Sequence, residues 1–302
     1  MTRFLVCGGA GSVGSLFGQV FAPVGEVVAV DARPAGPRSV RGDVTRPAPD
    51  VRAEISAADV VLLALPEATC EAAVAAVARE MKPGALLADT CSVKETVTTL
   101  LADAADRHSL QACSVNPMFA PGLDPSGRPV AFVTVRSGSR VRLVEDLLVR
   151  AGMRLVPVTA VEHDRLTAVM QAATHASVLA FGRVLVHEDC DVEKLVRLAP
   201  PPHLTMLSLL ARVVSGSPEV YWDIQAGNAR ADWARQALRD GLDHLSTVVV
   251  SGDRRGFADA LAEINHKLGP RGPDLAARCA RLFGRPESRV DPDEDDGRRN
   301  AG

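Results

Sequence analysis

The chain has 302 residues, 47% of them hydrophobic, with 34 basic against 37 acidic side chains and a formal net charge of -3. That length and apolar content allow a large core divided between two domains. The near-balanced charge, with arginines scattered along the chain, excludes a nucleic-acid binder that works through a basic face.

The first half alternates short apolar runs with helical stretches. Strands are predicted at 4–7, 27–30, 60–64, 85–88 and 131–135, with helices at 11–22, 67–81, 94–106 and 139–150. Near-continuous apolar strands imply burial on both faces, and intervening helices imply crossovers between parallel neighbours. The expected fold class is α/β, with an N-terminal Rossmann-type, doubly wound parallel sheet in residues 1–158. After a last extended segment at 153–157 the periodicity is helical, so 159–284 should form an all-helical substrate-binding and dimerisation domain. Its helices are expected at 163–187, 203–215, 218–227, 229–250 and 254–268, with Pro218 and Gly252 as breakers. Apolar residues such as Leu207, Leu209, Leu210 and Val213 predict a helical homodimer interface. The charged tail at 285–302 is expected to be disordered.

Six cysteines, Cys7, Cys70, Cys91, Cys113, Cys190 and Cys279, show no CxxC pair or zinc-type spacing. They are expected to be reduced thiols in a cytoplasmic protein without a metal site. The apolar start is too short for a signal peptide, and no apolar run is expected to span a membrane.

The first strand leads into Gly9-Ala10-Gly11-Ser12-Val13-Gly14, which opens a helix, and Asp31 ends the second strand twenty residues after Gly11. A lone GxGxxG is weak; strand, helix and acid together make it a dinucleotide fingerprint. Gly9 permits the tight turn, Gly11 admits the pyrophosphate and Gly14 lets helix and strand approach, while helix N–H groups receive the phosphates. Asp31 would take the adenosine ribose hydroxyls and repel a 2'-phosphate, favouring NAD over NADP. Arg33 stands close enough to neutralise that phosphate, which keeps NADP open. Leu65, past the third strand, completes the expected cofactor contacts.

Three further segments carry more: Asp89-Thr90-Cys91-Ser92-Val93-Lys94, Asn116-Pro117-Met118-Phe119-Ala120-Pro121-Gly122, and His163-Asp164 followed by Gln171 and His175. With the run from Arg212 through Pro218 to Ile224, they resemble the prephenate dehydrogenase family over residues from about 2 to 268. No chorismate mutase segment is expected before this span and no ACT domain after it.

The resemblance implies hydride loss from C4 of a cyclohexadiene dicarboxylate, with decarboxylation at C1 making the ring aromatic. It places Arg212 on a substrate carboxylate, where a guanidinium grips bidentately. It places Ser92 near the nicotinamide and the reacting substituent, although Ser92 followed by Glu95 also reads as a helix capping box. His175 becomes a substrate contact, whereas a single histidine on an apolar helix is more often structural. His163-Asp164 reads as helix-start architecture.

At one position the chain departs from the pattern. The family begins its HPMFGP-like segment with a histidine that draws off the C4 hydroxyl proton; here stands Asn116. An amide cannot take a proton at neutral pH, so a general-base contribution of roughly 10²–10⁴-fold is missing there. Hydride loss from a carbon bearing a neutral amine builds an iminium and needs that base far less. The expected substrate is therefore 4-amino-4-deoxyprephenate, with Asn116 orienting its nitrogen. Prephenate and arogenate are the alternatives within the family. From another class, a non-catalytic sensor of NAD and an aromatic precursor is opposed by Arg212, Ser92 and the complete glycine loop.

Overall fold

The computed structural model describes residues 1–33, 38–189 and 191–284. Its strands are β1 (Thr2–Cys7), β2 (Gly25–Asp31), β3 (Ser39–Arg41), β4 (Val60–Leu63), β5 (Leu86–Asp89), β6 (Gln111–Pro117), β7 (Pro129–Arg136) and β8 (Arg154–Pro157). They form one sheet in the order β3-β2-β1-β4-β5-β6-β7-β8. The connecting helices are α1 (Ser12–Phe21), α2 (Pro49–Ala57), α3 (Glu67–Glu80), α4 (Glu95–His108) and α5 (Ser139–Arg150).

The pleat sends alternate side chains to opposite faces, and both faces are covered. Phe4 and Val6 of β1 join Phe17 and Phe21 of α1 and Val144 and Leu148 of α5 in one core cluster. Leu5 and Cys7 join Ile55 of α2, Val74 of α3 and Leu101 of α4 in the other. This double burial explains why these strands read as continuous apolar runs. Chain order reverses between β1 and β4, so the crevice at their carboxyl ends is where an open sheet of this kind takes a ligand.

The sheet is mostly parallel, as expected of a doubly wound fold, and the exception is β7, which runs antiparallel to β6. Residues 118–128 between them contain no crossover helix, and a loop suffices only for an antiparallel return. The strand β6 itself was not legible, because buried Ser114 and Asn116 interrupt its apolar pattern. Also unforeseen were β3 and α2, the latter with a weakly apolar sequence.

The second half contains α6 (Ala160–Thr167), a π-helical turn (Ala168–Ala173), α7 (Thr174–His187), α8 (Val192–Leu198), α9 (Pro201–Val214), α10 (Pro218–Gly227), α11 (Ala231–Val250), α12 (Arg254–Leu268) and α13 (Gly272–Phe283). Gly252 ends α11 with φ +71°, and Pro218 opens α10. Ala160–His187 is a continuous helical run that is long enough, and over its most apolar stretch hydrophobic enough, to cross a membrane by length and composition, which corrects the expectation that no such run exists. It begins three residues before the predicted 163, because Thr159 caps it by accepting from Glu162 N at 3.1 Å.

Contacts divide the chain into a first unit of Met1–Ser177 with Val214–Gln236 and a second of Val178–Val213 with the described residues from Ala237. The division falls inside α7, α9 and α11, whereas the sequence expectation put a break at 158/159. In the second unit Leu210 packs on Gly182, where a Cβ would come within 2.7 Å of its Cδ1. Val213, expected on an exposed apolar face, is buried. Leu242, Val249, Ile264 and Leu282 remain exposed on α11, α12 and α13. The tail at 285–302, with its expected disorder, lies outside the described residues.

Candidate active site at the strand carboxyl ends

The glycine loop is built for close approach. Gly8, which the GxGxxG spacing does not count, takes φ +83°, and a Cβ there would lie 2.1 Å from Ala64 O and 3.2 Å from Leu65 Cδ2. A Cβ on Gly9 would lie 2.5 Å from Ala29 Cβ, and one on Gly14 would lie 2.2 Å from Gly8 O. Only glycine fits these three positions. Gly11 N donates to Gly8 O at 3.0 Å, which closes the turn and brings α1 in with Gly11 as its N-cap. No side chain caps α1 and no acid stands in its first turn, so its first amides lack a helical or side-chain partner at the positive end of the helix dipole.

Asp31, the last residue of β2, accepts from Ala10 N at 3.1 Å and Arg33 N at 2.9 Å. Each oxygen keeps a lone pair for a further donor. The arrangement fits a dinucleotide: an uncapped helix N-terminus for the pyrophosphate, a cradle that a Cβ would fill, and a carboxylate for the ribose.

Beyond β5 lies a second construction. Five successive amides, those of residues 91–95, are all taken by carboxylates. Asp89 Oδ1 accepts from Cys91 N at 2.8 Å. Glu67 Oε1 accepts from Ser92 N at 2.5 Å and Val93 N at 3.1 Å. Asp164 accepts from Lys94 N at 2.8 Å and Glu95 N at 2.8 Å. The predicted Ser92–Glu95 capping box does not form, because α4 begins later, at Glu95, and acids from α3 and α6 occupy its donors instead. Lys94 is fully buried, and its ammonium donates to Asp89 Oδ1 at 3.2 Å and Val115 O at 3.1 Å.

Asn116, near the carboxyl end of β6, is buried and its Nδ2 lies 3.0 Å from His163 Nε2. His163 Nδ1 lies 2.7 Å from Asp164 Oδ1. Thus Asn116, His163, Asp164 and the start of α4 form one chain of hydrogen bonds. His163-Asp164 is not the helix start the sequence indicated, for α6 begins three residues earlier at Ala160 and both side chains are buried. Asn228 Nδ2 secures it from the other side by donating to Asp164 O at 2.8 Å.

Ser92 and Asn116 are therefore held through one network. His175, in the first turn of α7, makes an edge contact with Tyr221 at 4.9 Å between ring centres. Arg212 is exposed in the last turn of α9, in the second unit. Sequence reasoning missed Gly8, Glu67 and the pairing of His163 with Asn116. Only Gly8 left a local signal, as the first of two adjacent glycines.

Residues 30–131 match the family model described as prephenate dehydrogenase, nucleotide-binding domain, and residues 159–263 match that described as prephenate dehydrogenase, dimerization domain. The 4-amino-4-deoxyprephenate dehydrogenase of Streptomyces pristinaespiralis is 49% identical over 286 residues, covering 93% of this chain and 96% of the relative. Among solved structures, prephenate dehydrogenase from Aquifex aeolicus in complex with hydroxyphenyl propionate and NAD+ superposes with a TM-score of 0.71 at 18% identity, covering 88% of this chain and 97% of that one. Synechocystis arogenate dehydrogenase superposes at 0.60 and 16% identity, with coverages of 88% and 98%. At such identities these structures establish a shared fold.

Glu67 makes a stability prediction. Burial outweighs the Lys94 ammonium and the donated amides, and pushes its carboxyl up from 4.5 to about 7. The folded chain holds this proton more tightly than the unfolded chain, so the stabilisation is complete below the unfolded value and disappears as pH rises through 7. Glu67→Gln should be more stable than the parent at pH 8.5, by as much as about 3 kcal/mol, and gain nothing at pH 4. Denaturant melts at the two pH values test this; an equal difference at both would show that titration of Glu67 is not the cause.

Proposed function

The chain belongs to the prephenate dehydrogenase family, and we propose that it oxidises and decarboxylates 4-amino-4-deoxyprephenate to 4-aminophenylpyruvate with NAD. The observation that carries the substrate is the amide of Asn116, buried near the end of β6, where the family resemblance implies an imidazole base. The high identity to the Streptomyces relative supports the same substrate.

When bound, NAD supplies the hydride acceptor. The glycine loop Gly9-Ala10-Gly11-Ser12-Val13-Gly14 would hold its pyrophosphate and Asp31 its ribose, beside Arg33 and Leu65. The free edge of Asn116 would orient the C4 nitrogen, with Ser92 beside it on the carboxylate-held loop. Loss of hydride leaves an iminium conjugated with the ring, and the C1 carboxylate departs as carbon dioxide, leaving its electron pair to aromatise the product. This route needs the amine in its neutral form, and once the amine is neutral the group at 116 has no proton to remove. Arg212 and His175 would bind the carboxylates.

The helical part would pair two copies of the chain, which the dimerization-domain match and the exposed Leu242, Val249 and Ile264 support. The free thiols Cys7, Cys70, Cys91 and Cys113 support work in the reducing cytoplasm.

The purified enzyme with NAD should produce NADH absorbance with 4-amino-4-deoxyprephenate at a higher kcat/KM than with prephenate or arogenate. Binding without turnover would make it a sensor instead. Asn116→His should raise kcat/KM on prephenate relative to the amino substrate by about tenfold or more, the low end of what a base contributes. An unchanged ratio would remove position 116 from substrate choice. Arg212→Ala should raise KM about tenfold, roughly 1.4 kcal/mol for a carboxylate contact on an exposed arginine, with kcat little altered. An unmoved KM would sink that assignment. Asp31→Ser should weaken NAD and improve NADP; a native preference for NADP would overturn the ribose argument.

A further inference from the structure

We propose that His163, anchored by Asp164, orients the side-chain amide of Asn116 with its oxygen toward the substrate, and so sets the preference for an N–H donor at C4. The inference rests on the amino substrate proposed above and deepens it.

The orientation follows from counting donors. The Asp164 carboxylate is acceptor-only, and it already takes the amides of Lys94 and Glu95. His163 Nδ1, 2.7 Å from Asp164 Oδ1, must therefore carry a proton and donate it. In the neutral ring the other nitrogen is then an acceptor. Asn116 meets that nitrogen at 3.0 Å with its Nδ2, the only end of the amide that can donate. The amide is planar, so spending Nδ2 on His163 turns Oδ1 away from it. Among the described residues no hydrogen bond reaches Oδ1, and it is not one of the polar atoms sealed away without a partner.

The direction matters to the reaction. An outward Oδ1 accepts an N–H and leaves the nitrogen lone pair free to conjugate with C4 as hydride departs. An outward Nδ2 would donate to that lone pair and oppose the iminium. Without His163 the two edges of the amide differ little in energy, since each finds water or substrate. His163 thus acts through Asn116 as a positioning residue. The surroundings hold it in place: Asp164 and Thr167 on its own helix, Asn228, and the start of α4 with Lys94 and Glu95.

Two measurements on the full chain test this. In ¹⁵N-labelled protein, the ring of His163, identified by its loss in His163→Gln, should be the Nδ1–H tautomer at pH 8; an Nε2–H tautomer or an imidazolium would overturn the proposal. The second measurement is the ratio of kcat/KM for 4-amino-4-deoxyprephenate to that for prephenate. His163→Leu should lower it about tenfold, the effect of one misdirected hydrogen bond, while His163→Gln, whose carbonyl can still accept from Nδ2, should keep most of it. Equal losses on both substrates in His163→Leu would show a structural role only and overturn the proposal, and the ring measurement remains decisive if that variant does not fold. Should the parent enzyme fail to oxidise the amine, the substrate reading falls, while the tautomer still reports on the orientation of Asn116.

Discussion

The site depends on carboxylates placed against backbone amides. A helix start leaves its first N–H groups without partners, and the segment from Cys91 to Glu95 adds a loop that would otherwise be free to move. Asp89, Glu67 and Asp164, from three different elements, take all five amides. Charge-assisted hydrogen bonds, such as those accepted by Asp89 and Asp164, contribute about 1.5–3 kcal/mol each, and the helix dipole adds to those at α4. The segment that presents Ser92 is thus fixed by bonds reaching across the fold, with α3, α6 and the end of β5 committed to one geometry.

Concentrating three acids in a buried place is costly, and two features relieve it. The ammonium of Lys94, fully buried, stands against Asp89. Glu67 adjusts by holding its proton up to about pH 7. Asp164 has neither, yet it accepts two amides and the His163 ring, which leaves its charge well distributed. Removing one partner from such a set leaves an uncompensated buried group and costs about 3–5 kcal/mol, so the network resists piecemeal change.

The nucleotide half of the fold was legible because its signals are local. Apolar runs mark doubly buried strands, the loop from Gly9 to Gly14 marks the tight turn into α1, and Asp31 falls at the end of the next strand. What escaped was whatever depends on distant partners. Ser114 and Asn116 made β6 look unlike a strand because their polar atoms are buried by tertiary contacts. Glu67 looks like any acid opening a helix, and its reach to Ser92 spans 25 positions of sequence. Ser92 followed by Glu95 fits a local capping box, but two long-range carboxylates claimed the donors first. His163 and Asn116 lie 47 positions apart, and no spacing rule joins them.

That pairing bears on how one scaffold can serve two substituents. A histidine at 116 could also give an N–H to His163 Nε2, and its second ring nitrogen would then face outward as an acceptor, just as the amide oxygen does. In both cases the pair of His163 and Asp164 draws a proton donor from residue 116 and leaves an acceptor for the substrate. The two acceptors differ in proton affinity: an imidazole nitrogen can take a hydroxyl proton as hydride departs, whereas an amide oxygen can only orient a donor. The anchor therefore need not change when the substituent does. On the reading proposed above, the side chain at 116 is what differs between the two chemistries, while His163, Asp164 and the start of α4 supply the same anchor to either.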